Sequence, residues 1–327
     1  MRRILIGKPG GYDALALVDS PDPMPKPGEV RIAVRACGVN YADGIIRMGL
    51  YESAKRLHGY PITPGFEVCG VIDALGDGVE GWRIGDRVIG VTLFGGYASS
   101  ICLGTDRVFA LPESLTFEQG AALPTVFLTA WFMAHRQVHP DPGERWLVHS
   151  AAGGVGGALL QLARLAGVEA TGVVGSAHKV DAAKSLGAAH VIDKSADDWI
   201  VAAKAIAPGG FHAVFDANGV STLQASFDAL APMGKLVIYG FASMLPKDGR
   251  LHALVARTFR RRSPRAAAGR SLRAGGRRRR PPAHRIRAEC RQTRPAALSR
   301  AASRILIKDP PMADNPIFSL FLPLALG

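Results

Sequence analysis

His149-Ser150-Ala151-Ala152-Gly153-Gly154-Val155-Gly156-Gly157 is the stretch that decides the fold. Before it lies Arg145-Trp146-Leu147-Val148-His149-Ser150, short and apolar as a buried strand is. After it, Gly154 to Ala166 has small residues first and then leucines at helical spacing. A glycine-rich turn between a strand and a helix is the context a dinucleotide fingerprint needs. Gly153 lets backbone approach a pyrophosphate closely, and Gly156 lets the helix pack tightly on the strand. The free N–H groups and the positive end of the helix dipole then face the phosphates, across Ala152, Gly153, Gly154, Val155 and Gly156. The run departs from a strict G-x-G-x-x-G pattern, with Ala151 at the first glycine position. A tight strand–helix turn with no ligand is the plain alternative.

The pattern continues outward. Glu169 to Val174 reads as a strand, His178 to Leu186 as a helix, Ala189 to Ile192 and His212 to Phe215 as strands, Ser221 to Leu230 as a helix, and Lys235 to Tyr239 as a strand. Strands alternating with helices predict βαβ units, a parallel sheet and an α/β fold. Upstream, Phe117 to Arg136 is apolar and helical in length, interrupted at Pro124. Residues 1 to about 110 read instead as short strands punctuated by turns, among them Glu29 to Ala36, Pro64 to Ile72 and Gly85 to Val91. That half is expected to be a compact β-rich domain.

The end of the second strand after the turn bears on the cofactor. An NAD-binding unit usually places an acid there to hold the ribose hydroxyls. The chain reads Val173-Val174-Gly175-Ser176-Ala177-His178-Lys179, with no acid before Asp181. Ser176 can hydrogen-bond a 2′-phosphate and Lys179 can neutralise it, so NADPH is expected rather than NADH. The alternative is that Lys179 is a solvated helix residue. Asn218 and Gly240 follow strand ends, which face the cofactor in an open parallel sheet; each is otherwise a loop residue only.

Composition bounds these readings. A hydrophobic content of 48% is enough for a sizeable core. No stretch reaches the length of a membrane span. Gly7, Lys8 and Pro9 end the apolar run behind Arg2 and Arg3, so a signal peptide is not expected. Cys37, Cys69, Cys102 and Cys290 are scattered, and a reducing cytoplasm is the simplest setting. The formal net charge is +13, yet residues 251–304 alone hold 17 Arg, no Lys and one acid, Glu289. That segment carries +16 and everything else sums to −3, so the basicity belongs to one segment and not to the fold.

Several motifs together resemble a known superfamily, the medium-chain dehydrogenases/reductases. They are Pro64-Gly65-Phe66-Glu67 with Gly70, Gly76 and Val79, Gly85-Asp86-Arg87-Val88, and the Ala151-Ala152-Gly153-Gly154-Val155-Gly156 loop, whose form is typical of the quinone oxidoreductase branch. Leu230-Ala231-Pro232-Met233-Gly234-Lys235-Leu236-Val237-Ile238-Tyr239-Gly240 is similar to the synaptic vesicle membrane protein-like group within that branch. The resemblance covers about residues 1–250. It implies a GroES-like substrate domain over 1–120 and a Rossmann domain, a doubly wound parallel sheet binding NADPH, over 121–250. The superfamily's alcohol dehydrogenases hold a catalytic zinc by cysteine, histidine and a further cysteine. Asn40 and Phe66 stand at the first two of those positions, and no cysteine lies between Cys102 and Cys290, so no metal is expected.

Without a metal the substrate must accept hydride by its own electrophilicity, as quinones and α,β-unsaturated carbonyls do. The protein would then supply orientation and hydrogen bonds to the developing oxyanion. The resemblance places Asn40, Tyr41 and Tyr51 in the substrate cleft, with Tyr51 as donor or lid, and Thr129 near the nicotinamide. Tyr51 is otherwise a packed loop aromatic. Asp43 and Glu67 are expected to hold structure near the cofactor cleft, and Cys37 and Cys69 to be core cysteines. Intact relatives are expected to be homodimers.

The superfamily continues past Gly240 with its last Rossmann strands, and that continuation is not found. Residues 251–304 form an anomalous Arg-rich segment and 305–327 an apolar tail. The segment reads as frameshifted coding sequence, a disordered basic tail, or a patch for nucleic acid or acidic membrane. Arg277 to Arg280 has no interleaved aromatics for stacking on bases. The expectation is that the C-terminal part is incomplete or disordered and that the chain folds poorly or is inactive. Three functions compete: an NADPH-dependent quinone or enone reductase, a non-catalytic NADPH-binding protein, and a basic nucleic-acid binder. The expected partner is a small-molecule quinone or enone, with no specific nucleic acid and no membrane span.

Overall fold

The computed structural model describes residues 1–244. The Arg-rich segment 251–304 and the tail 305–327, with every expectation placed on them, lie outside the described residues.

The N-terminal half is built on strands, as its alternation predicts. β1 (Arg2–Ile6) pairs antiparallel with β2 (Leu15–Asp19). β3 (Glu29–Cys37) is followed by α1 (Tyr41–Arg47) and α2 (Glu52–Leu57). Then come β4 (Glu67–Leu75), β5 (Arg87–Val91), β6 (Ser100–Gly104) and β7 (Val108–Ala110). β3 to β7 form one antiparallel sheet in the order β6-β3-β4-β5-β7. Its buried face gathers Val30, Ile32, Val68, Ile72, Val88 and Leu103. The alternation of period two turns these side chains to one side. The two helices depart from the expectation of strands and turns alone. At seven and six residues they are too short for a 3.6-residue period to show.

From residue 117 the chain becomes helix and parallel strand. α3 (Phe117–Ala121) starts with a reciprocal cap: Gln119 N–H donates to Thr116 Oγ1 at 3.2 Å, and Thr116 N–H donates to Gln119 Oε1 at 2.8 Å. α4 (Pro124–Phe132) begins on its proline. The interruption expected at Pro124 is thus the start of a new helix, because a proline at the first position loses no hydrogen bond. A π-helical turn, Met133–Val138, extends it. Then follow β8 (Arg145–His149), α5 (Gly154–Leu165), β9 (Glu169–Val174), α6 (Val180–Ser185), β10 (His190–Asp193), α7 (Trp199–Ile206), β11 (Phe211–Asp216), α8 (Leu223–Asp228) and β12 (Leu230–Ile238). The second sheet is parallel throughout, in the order β10-β9-β8-β11-β12.

Alternation along β8 shows why this sheet is covered on both faces. Trp146 and Val148 pack with Ala130, Leu159, Leu160 and Phe215 on the side of α4 and α5. Leu147 turns the other way, to Val173, Ile192, Ala203, Phe211 and Val214 on the side of α7. This is the two-layer covering expected of a doubly wound fold. α7 had no counterpart in the sequence reading, although Asp198 marks its start: Ile200 N–H donates to Asp198 Oδ1 at 2.9 Å. β12 begins five residues earlier than expected, with a register shift against β11 between Leu230 and Lys235, where Met233 is 97% exposed.

Candidate functional site

The glycine turn lies where the sequence places it, between β8 and α5. Gly153 is the N-cap of α5 and no side chain caps that end. The first N–H groups of a helix have no intrahelical acceptor, so this end is free to receive an anion. Gly156 is required by space. A Cβ there would lie 2.3 Å from the Ser150 carbonyl oxygen and 2.9 Å from Ala151 Cα. At Gly153 the nearest atom would be the same Ser150 oxygen at 3.1 Å. Ser150 itself is held at φ 53°, a left-handed backbone that only the turn explains.

The C-terminal ends of β8, β11 and β12 are knitted together beside this turn. Tyr239 donates through its hydroxyl to the His149 carbonyl oxygen at 3.2 Å. Asp216, fully buried at the end of β11, accepts from the N–H groups of Asn218 and Gly219 and from the hydroxyls of Thr222 and Ser226, all within 3.0 Å. Burial alone would raise its pKa. These hydrogen bonds outweigh burial and hold it below the usual carboxylate range. The Asn218 carbonyl accepts from Ser243 N–H and Ser243 Oγ. A Cβ on Gly240 would meet the Ala217 oxygen at 2.5 Å. Asn218 and Gly240 therefore stand on adjoining loops at one edge of the sheet. Asn218 Nδ2 is buried without a partner among the described residues.

His149 is the acid-sensitive member of this cluster. Ser226 gives its one proton to Asp216, so His149 Nε2 donates to Ser226 Oγ at 3.0 Å. Nδ1 is then an acceptor, buried and without a partner among the described residues. Protonation would bury an N–H with no partner, and burial lowers the His149 pKa to about 4. The unfolded chain takes up that proton below about pH 6.5 while the folded chain does not. Stability from this group is full above pH 6.5 and falls between there and about pH 4, by about 3 kcal/mol. Asp43 and Glu67, whose pKa values burial raises, act in the opposite sense. The expectation is therefore read as a difference: urea midpoints of the natural chain and of His149→Gln, at pH 7.5 and pH 4.5. The variant should lose part of the acid sensitivity. Equal sensitivity in both would sink the assignment.

At the end of β9, Ser176 is half-buried and Lys179 is exposed, one turn apart. The sequence reading missed a second cation. Lys194, after β10, brings its Cε within 3.6 Å of where a Cβ on Gly175 would be. Its only signal in sequence was a lysine just past a strand end neighbouring β9.

The residues expected at the substrate cleft, Asn40, Tyr41 and Tyr51, sit at two helix starts. Asn40 is the N-cap of α1; its N–H donates to Asp43 Oδ2 at 2.8 Å. Asp43 also accepts from Gly65 N–H at 3.1 Å and from the Tyr97 hydroxyl at 2.9 Å. Asn40 Nδ2 donates to Glu67 Oε1 at 3.0 Å, and the other Glu67 oxygen accepts from Thr125 N–H near the start of α4. Thr129, one turn further, donates its hydroxyl to the Thr125 carbonyl at 2.6 Å. Asn40 and Thr129 are thus tied through Glu67 and Thr125. Thr129 and Tyr239 line one open depression of about 420 Å³. Tyr41 is 54% exposed at the start of α1. Tyr51, the N-cap of α2, packs edge-on to Phe66 at 6.0 Å, and its hydroxyl has no partner among the described residues. Neither tyrosine shares the Glu67 link. Among the described residues no three His, Cys, Asp or Glu side chains gather as a metal site, and no helix is long and apolar enough to cross a membrane.

Residues 26–126 match the family described as alcohol dehydrogenase GroES-like domain, and residues 154–263 match zinc-binding dehydrogenase. The human synaptic vesicle membrane protein VAT-1 homolog is 40% identical over 254 residues, 76% of this chain and 63% of that protein. The chain thus spans less than two thirds of that relative. The quinone oxidoreductase of Salmonella typhimurium is 35% identical over 74% of this chain and 73% of that one. The structure of Escherichia coli quinone oxidoreductase complexed with NADPH superposes with a TM-score of 0.72 at 27% identity, covering 100% of this chain and 91% of that one.

Proposed function

This chain belongs to the medium-chain dehydrogenase/reductase superfamily, among the quinone oxidoreductases and VAT-1 homologues, and from that premise we propose that it is an NADPH-dependent reductase of quinones or α,β-unsaturated carbonyls that works without zinc. The observation that carries the reading is the α5 N-terminus, uncapped and framed by Gly153 and Gly156. Its residues fit a dinucleotide: Ala152 to Gly156 would hold the pyrophosphate. The unpaired Asn218 Nδ2 and the Gly240 loop would meet the nicotinamide end. NADPH, when bound, supplies the hydride. Ser176, Lys179 and Lys194 would hold the 2′-phosphate, and no acid ends β9 to favour NADH. Exchanging Lys179 for Glu is expected to weaken NADPH binding about tenfold, less at high salt, and to leave NADH binding unchanged. Equal losses for both cofactors would remove Lys179 from the site.

The zinc-free part rests on the donor set. Phe66, at the position that the resemblance assigns to the histidine of the superfamily's zinc alcohol dehydrogenases, has no lone pair and packs with Ile6, Ile46 and Ile62. Asn40 spends an amide N–H on Glu67. These residues do not fit zinc, which takes about four N, S or O ligands, and no step is drawn through it. Asn40, Tyr41 and Tyr51 would instead orient a flat electrophile. The Tyr51 hydroxyl, free to donate, would stabilise the oxygen on which negative charge gathers. Thr129 offers only an acceptor, its proton being given to Thr125.

The other reading is a protein that binds NADPH without oxidising it, in keeping with a 40% identical relative whose name refers to a vesicle membrane and not to a reaction. Incubation with NADPH and 9,10-phenanthrenequinone separates the two. A reductase consumes the cofactor in proportion to quinone; a binder shows cofactor fluorescence changes and no consumption. A reducing cytoplasm is the proposed setting, in keeping with the scattered positions of the four cysteines in the sequence.

A further inference from the structure

We propose that Glu67 is a positioning residue whose buried carboxylate fixes the orientation of the Asn40 amide at the substrate cleft and, through its second oxygen, the start of the helix that carries Thr129. Its effect on turnover rests on the reductase reading above; the geometry does not. Glu67 is 1% exposed. One oxygen accepts from Asn40 Nδ2 and the other from Thr125 N–H. An ionised carboxylate can only accept, so the Asn40 side chain must turn its NH₂ group inward. One N–H and the amide carbonyl are left for the cleft, in a fixed arrangement. The same carboxylate meets the N-terminal end of α4, where negative charge is favoured.

Space for this arrangement is made by Gly38. A Cβ there would lie 2.1 Å from Glu67 Oε1 and 2.6 Å from the Ala121 carbonyl oxygen. Gly38 N–H also holds the Glu67 backbone carbonyl at 3.2 Å. The titratable groups around the carboxylate are Asp43 from α1, Cys37 from β3, and Tyr97, which reaches Asp43. None of these is a cation. Burial raises the Glu67 pKa, the bonds from Asn40 and Thr125 lower it, and Asp43 raises it again. The net shift is upward, so the two donors, Asn40 among them, offset only part of the cost of burying the charge.

Glu67→Gln separates positioning from mere capping, because glutamine keeps the shape and one acceptor. Its oxygen can still receive Thr125 N–H, while its NH₂ group faces Asn40 and reverses that amide. In the full chain with NADPH and 9,10-phenanthrenequinone, kcat should fall about ten- to a hundredfold while NADPH affinity holds. In an Asn40→Ala background the same change should cost no further kcat, since both act through one group. An unchanged kcat in Glu67→Gln, or independent and multiplying losses, would overturn the proposal. A second readout needs no turnover. The Asn40 side-chain NH₂ signals in a ¹⁵N spectrum, assigned by their loss in Asn40→Ala, should move in Glu67→Gln. If they stay in place the proposal fails, whatever the activity. If they move in a chain that never oxidises NADPH, the reductase reading fails and the positioning of Asn40 stands.

Discussion

Gly156→Ala is expected to abolish measurable NADPH binding and to lower stability by about 3 kcal/mol, the upper range for overpacking at a site with no room to relax. The methyl group would sit 2.3 Å from the Ser150 carbonyl oxygen, which is backbone and cannot rotate away. Either α5 lifts from β8 or Ser150, already at φ 53°, is forced further. Both move the N–H groups that would face the pyrophosphate. Gly153→Ala is the internal control, because its methyl would meet one atom at 3.1 Å and a few tenths of an ångström suffice. Chemical denaturation and NADPH fluorescence titration of both variants check the order. A Gly156→Ala chain as stable and as tight-binding as Gly153→Ala would contradict the packing role assigned to that glycine.

Asp216→Ala is expected to be the most damaging single change outside the hydrophobic core. It leaves Asn218 N–H, Gly219 N–H and Ser226 Oγ, all at a buried site, without their acceptor, and Thr222 Oγ1 with the Gly219 carbonyl alone at 3.2 Å. Each such loss costs about 1–3 kcal/mol, and a domain's whole stability is about 5–15 kcal/mol. The alanine variant should therefore fail to give a cooperative transition. Asp216→Asn, which keeps the shape and one acceptor, should fold with a loss of about 3 kcal/mol and with weakened NADPH binding as the Asn218 loop loosens. An Asp216→Asn chain with natural stability and affinity would show that the carboxylate is not what holds the loop.

What could be read from sequence was what lies close together along it. Arg145 to Ala166 is a continuous strand, turn and helix, so the residue types carry their own context, and β8, Gly153 and α5 fall within one residue of expectation. β9 ends at Val174 as read, and that fixes where Ser176 and Lys179 lie. The links that organise the candidate site are different in kind. Glu67 joins Asn40, 27 residues before it, to Thr125, 58 residues after it. His149 meets Ser226 across 77 residues. No spacing rule encodes such pairs; they exist once β4 lies against β3 and β11 against β8. Asp43 and Glu67 were expected only to hold structure near the cleft, and the geometry gives them definite donors. Helices α1, α2 and α7 were missed for another reason, since six to eight residues give too few turns for a hydrophobic face to repeat. Lys194 could be related to Gly175 only after β10 was paired with β9.

The central claim is that this chain passes hydride from NADPH to an electrophilic carbonyl compound. It is tested most directly by following absorbance at 340 nm with the full chain, 9,10-phenanthrenequinone, and NADPH carrying either hydrogen or deuterium at the nicotinamide C4. The account predicts consumption that requires both protein and quinone and that slows with deuterium under single-turnover conditions. Tight NADPH binding with consumption no faster than in buffer would contradict it.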